Sequence, residues 1–120
     1  MTKQALFPSE VRARLPSLAV VQAPFDVEEF IAQAKLFYAD GSALAWFIIA
    51  YDGDDQLFGW QDGQVGELGY FSVAELEATR SQRGDALVCD TEFQPKSLVD
   101  AMWENYAERR AEREALASAD

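Results

Sequence analysis

The dipeptide Asp-Gly recurs at Asp40-Gly41, Asp52-Gly53 and Asp62-Gly63, and each copy separates two apolar runs. Asp-Gly in that setting is a strong hairpin signal, because both residues tolerate the backbone conformations tight turns require. The segments between, 35–39, 44–51, 56–61 and 65–71, are of strand length. This punctuation predicts a four-stranded antiparallel meander. In the second segment Leu44, Trp46 and Ile48 alternate with Phe47, Ile49 and Tyr51, so both faces are apolar. A strand of that kind belongs at the centre of a sheet covered on both sides.

Helices are expected around the meander. Ser9 to Leu15 reads as a short helix with Ser9 as N-cap, ended by Pro16. Ala23-Pro24 marks a loop, and Asp26 to Ala34 reads as another short helix capped by Asp26, with Glu29 in the box position. Ser72 caps a helix running to about Arg80, with Glu75 three residues on and Val73 and Leu76 facing the sheet. Gly84-Asp85 breaks the chain, and Leu87 to Phe93 follows as a fifth, edge strand. Ser97, with Asp100 in the box position, opens a longer C-terminal helix whose apolar stripe is Leu98, Val99, Met102, Trp103 and Tyr106. The fold class is therefore α+β: a four- to five-stranded antiparallel meander sheet packed with short helices and a longer C-terminal helix. The 120 residues fit a single domain, with a core of about 9–107 and a charged helix end or tail at 108–120.

The acidity of the chain is uneven. Net charge is −11, yet residues 1–24 carry one acid against three bases, residues 25–92 fourteen against three, and residues 93–120 six against four. The charge belongs to the middle of the chain, where the sheet is expected. Phosphate contacts need Lys and Arg, so direct nucleic-acid binding is not expected. A basic protein partner is, and such a partner is itself suited to handling nucleic acid. The plainer reading of the same charge is solubility.

Several chemistries are excluded by absence. The chain has no histidine and one cysteine, Cys89, so histidine-based triads, imidazole zinc sites and an internal disulfide cannot form. No cofactor or metal is expected. An EF-hand loop starting at Asp52 would need Gly at its sixth position and Glu at its twelfth; Leu57 and Gly63 stand there. Spacing among Asp52, Asp54, Asp55, Glu67 and Asp90 singles out no catalytic pair, so an enzyme is not expected. Cys89 reads as a packed strand residue whose thiol the adjacent Asp90 would not activate. No apolar run reaches transmembrane length and no signal-peptide pattern opens the sequence, which points to the cytoplasm.

The residues from about Leu15 to Leu98 also resemble a catalogued family. The shared pattern is Leu15-Pro16-x-Leu18, the Leu36-Phe37 and Trp46-Phe47 strands, Leu57-Phe58-Gly59, and Glu67-Leu68-Gly69-Tyr70-Phe71-Ser72 with Glu75-Leu76-Glu77, closed by Asp90 and Phe93-x-Pro95. This resembles domain-of-unknown-function family 2958, a family of small bacterial proteins. Val88-Cys89-Asp90 departs from the family's Glu-Arg-Asp, and the helix after Leu98 is longer than the family core. The resemblance implies no activity. It implies a context, as cargo of plasmids, phages and other mobile elements.

These readings converge on an acidic, non-enzymatic binding protein. Its expected role is to inhibit a bacterial defence complex (anti-CRISPR or anti-restriction) by occupying a basic nucleic-acid-binding surface. Asp52, Asp54, Asp55, Asp62 and Glu67 are the expected contacts, since turns and strand ends expose them. Trp60 is the aromatic expected to be exposed beside them. The alternative is an accessory module of plasmid maintenance or conjugation, dimeric through the C-terminal helix; a carboxylate hydrolase is a distant third.

Overall fold

The computed structural model describes residues 6–22, 26–39, 44–63 and 66–117, with 109, 112, 113, 116 and 117 described by backbone alone. In chain order the elements are α1 (Ser9–Arg14), two 3-10 turns (Leu18–Val20 and Val27–Glu29), β1 (Ile31–Ala32), β2 (Ala34–Tyr38), β3 (Ala45–Tyr51), β4 (Gln56–Asp62), β5 (Glu67–Ser72), α2 (Val73–Ala78), β6 (Leu87–Cys89), β7 (Lys96–Ser97) and α3 (Leu98–Ala117). Five strands form one antiparallel sheet in the order β5-β4-β3-β2-β6, and β1 pairs with β7 in a small second sheet. The meander and the fifth edge strand are as the turn signals predict. Asp40-Gly41, Val65 and Ala23-Pro24 lie outside the described residues.

β3 sits at the centre and every one of its residues is buried. On one side Leu36, Trp46, Ile48 and Leu57 pack under α1 and α2, through Phe7, Val11, Val73 and Leu76. On the other, Phe47, Ile49, Ala50 and Phe58 pack under α3 and its neighbours, through Phe30, Phe93, Leu98 and Ala101. The alternation of β3 is broken once. Ile48 faces Gly59 on β4 and Ala50 faces Phe58, so Ile49 is an extra residue. A bulge of this kind shifts all later side chains to the opposite face. Tyr51 therefore packs with Trp46 and Ile48, not with Phe47 and Ile49 as strict alternation predicts. Gly59 is part of the same arrangement: a Cβ there would lie 2.3 Å from the Phe47 carbonyl oxygen, so no larger residue fits.

Three helix expectations need correction. Pro8, not Ser9, occupies the N-cap of α1, and no side chain caps it. Residues 26–34 form only a 3-10 turn, although Asp26 caps it by accepting from the Glu28 N–H at 3.0 Å. From Phe30 to Tyr38 burial alternates with period two, which is strand patterning. The Leu98 N–H donates to the Phe30 carbonyl at 2.9 Å, and Ile31 and Ala32 pair with Ser97 and Lys96, so the backbone there is drawn into β1. α2 stops at Ala78, and Arg80 instead bridges Ala86 across a turn with Gly84 at φ 89°. β6 is also shorter than 87–93, because the Asp90 carboxylate accepts from the Glu92 N–H at 3.0 Å and turns the chain.

α3 opens as expected, with the Ser97 hydroxyl oxygen accepting from the Asp100 N–H at 3.1 Å. Its buried row, however, is Leu98, Ala101 and Asn105, with Met102 half-buried. Trp103 and Tyr106, expected in the apolar stripe, face solvent. The small Ala101 lets the helix approach Phe47, and Asn105 finds a buried partner on β4; together they set the rotation of the helix.

Candidate interaction surface

The Asp52–Asp55 turn is a fixed structure. The Asp52 carboxylate oxygen Oδ1 accepts from the N–H groups of Asp54 (2.8 Å), Asp55 (3.0 Å) and Gln56 (3.0 Å). These backbone donors, Asp54 foremost, hold its pKa below the usual carboxylate range. Asp55 reaches across to α2. Its Oδ2 accepts from the Ser72 hydroxyl at 2.6 Å, its Oδ1 from the Ala74 N–H at 2.9 Å, and its backbone carbonyl from the Val73 N–H at 2.7 Å. Ser72 in turn accepts from the Glu75 N–H at 3.2 Å. Two side chains thus cap the first turn of α2. The Ser72 hydroxyl, then the Ala74 N–H, lowers the pKa of Asp55. Asp54 is exposed, while its backbone carbonyl accepts from the Tyr51 hydroxyl at 2.9 Å.

The other expected contacts divide. Glu67 is exposed on β5, an edge strand, opposite Gln61. Asp62 is only 8 % exposed and lies inside β4, not in the turn after it. The Asn105 side-chain amide donates to its Oδ2 at 2.7 Å, which ties the end of β4 to α3. Asp62 is therefore a structural carboxylate and not a surface contact. Trp60 is half-buried against the Phe47–Phe58 side of the core, and its ring lies so close to Gly66 that a Cβ there would meet it at 2.0 Å. The expectation that Trp60 is the exposed aromatic is thus corrected. Among the described residues the exposed aromatics are Trp103 (65 %), Tyr70 (52 %) and Tyr106 (47 %). Tyr70 stands edge-on to Phe58 with ring centroids 5.0 Å apart, and Trp103 edge-on to Tyr106 at 5.8 Å. Helical spacing alone could not separate Trp103 and Tyr106 from core residues; the signal that does is the polar Asn105, whose buried partner is far away in sequence.

The opposite flank of α3 borders a cleft of about 290 Å³ lined by Lys35, Lys96, Asp90, Glu92, Glu104 and Glu108 among others. Lys96 pairs with Glu104 at 2.6 Å and lies over the Phe93 ring; Lys35 approaches Glu108 at 3.9 Å and lies near Phe47. The cleft mixes both signs, with Lys96 on β7 and Lys35 on β2 each facing a glutamate of α3. Among the described residues no group of three or more His, Cys, Asp or Glu side chains is placed to hold a metal ion. Cys89 is half-buried, and burial chiefly raises the pKa of its thiol. No helix among the described residues is long and apolar enough to cross a membrane.

A family profile described as "Protein of unknown function (DUF2958)" matches residues 6–113, nine-tenths of the chain. The chain belongs to this DUF2958 family. No curated protein and no solved structure matches it at a significant level. The DUF2958 match spans every element from α1 into α3, so the capped Asp52–Asp55 turn, the β5 edge and the aromatic flank of α3 all lie within the family region.

Proposed function

We propose that this DUF2958 protein is an acidic, non-enzymatic docking protein of the cytoplasm that occupies a basic, nucleic-acid-handling surface on another protein. The observation that carries the reading is where the charge sits. The chain has a net charge of −11, and among the described residues Asp62 is the one buried carboxylate. The other described carboxylates are exposed or half-buried, so most of the described negative charge faces solvent, where it can steer a basic partner. Asp52 and Asp55 add charge that is held in place, since their hydrogen bonds keep them ionised. Asp52, Asp54, Asp55 and Glu67 are all exposed; Asp54 and Glu67 are the two of them whose carboxylates neither hold the turn nor cap α2. A bacterial defence complex, a CRISPR effector or a restriction enzyme, offers such a surface, and an inhibitor of one would fit the mobile-element context that the family resemblance implies.

Charge reversal tests the reading. Asp54→Lys combined with Glu67→Lys leaves the buried core untouched, so the variant should fold as the wild type does. Tagged wild type should recover a nucleic-acid-binding complex from a lysate with active CRISPR and restriction systems, and the variant should recover much less. Equal recovery by both proteins would contradict this docking mode.

A further inference from the structure

We propose that the solvent-facing flank of α3 is a two-fold interface with a second copy of this chain. Trp103 and Tyr106 stand on that flank 65 % and 47 % exposed, already stacked edge-to-face with their rings at 90°. The helix continues to Ala117, and every described side chain after Asn105 is exposed. A helix end whose described side chains are all exposed is held by little tertiary packing, so covering its Trp103–Tyr106 flank would stabilise it. Exposed Trp, Tyr and Arg are the residue types that anchor interfaces.

Charge selects the occupant. Two copies at −11 repel across most of their surfaces, but residues 108–117 carry three acids (Glu108, Glu112, Glu114) and three bases (Arg109, Arg110, Arg113). That segment is neutral on balance, so two copies meet there without the repulsion that the acidic middle of the chain would impose. A strongly basic partner is disfavoured there, because Arg110 shares the flank with Trp103 and Tyr106 at spacings of seven and four residues.

The pattern is also self-complementary, as a two-fold interface requires. An antiparallel pairing of two α3 helices about an axis near residue 108 brings Arg110 of each copy opposite Tyr106 of the other. Trp103 then lies beneath the far end of the second helix. A guanidinium over an aromatic face is favourable, and more so once water is excluded. The existing Arg110–Glu114 pair, 3.3 Å long with both side chains about two-thirds exposed, contributes little that would oppose this.

Sedimentation velocity of the full chain across a micromolar-to-millimolar series tests the proposal. The mass should rise from 13.4 kDa toward twice that value. Trp103→Ala and Arg110→Glu should each weaken the dimer by about tenfold or more, while Tyr106→Phe, which keeps the ring, should leave it formed. Far-UV circular dichroism verifies that each variant folds. Wild type that stays at monomer mass throughout would overturn the proposal, including the case where Trp103→Ala loses capture of a different protein. So would a dimer that survives both substitutions together.

Discussion

Single residues carry much of the architecture around the acidic turn. Asp55 caps a helix that begins eighteen positions later, and Asp52 holds the turn that presents it. Both have folded-state pKa values below their ordinary ones. A depressed carboxylate contributes stability that is complete above its unfolded pKa, about 3.9, and lost as pH falls through the folded value. Asp55→Asn should therefore lower the urea midpoint near neutral pH, and the deficit against wild type should shrink in acid below pH ~3.9. Parallel urea titrations at neutral and acidic pH read this out. Gly59→Ala is expected to be among the costliest single changes, about 1–3 kcal/mol or more, because backbone stands where its Cβ must go. Thermal unfolding of the variant measures it. Cys89, half-buried with a raised pKa, should react slowly with a thiol reagent at neutral pH.

At the scale of elements, what could be read from the residues follows the range of the interactions. The β3 strand is legible because its apolar residues are local and sit between local turns. The Ser72 and Ser97 caps are legible for the same reason. The Ile49 bulge is not, because it depends on Gly59 across the sheet. β1 is hidden because its partner β7 lies more than sixty residues away, and a plausible Asp26 cap suggests a helix in its place. α3 is legible as a helix but not in its rotation. Asn105 looks like a surface residue until Asp62 is placed beside it, and the same pairing removes Asp62 from the contact surface. Asn105→Ala takes a donor from a buried carboxylate and should cost about 1–3 kcal/mol, measurable by urea unfolding. The exposure of Asp52, Asp54, Asp55 and Glu67, by contrast, is legible, because turns and strand ends expose the residues they carry.

For the whole molecule the governing quantity is charge. A body at −11 with its carboxylates outward should associate with a basic surface quickly at low salt and lose that association as ions screen it. Self-association through α3 should respond the other way, since salt relieves repulsion between two acidic bodies while close aromatic contacts are less affected. The two associations are thus separable by ionic strength alone. The decisive measurement for docking through surface charge is capture of partners by the tagged full chain, quantified by mass spectrometry across a salt series. A nucleic-acid-binding complex should be retained at low salt and released as salt rises. A partner held equally well at high salt would contradict docking through charge.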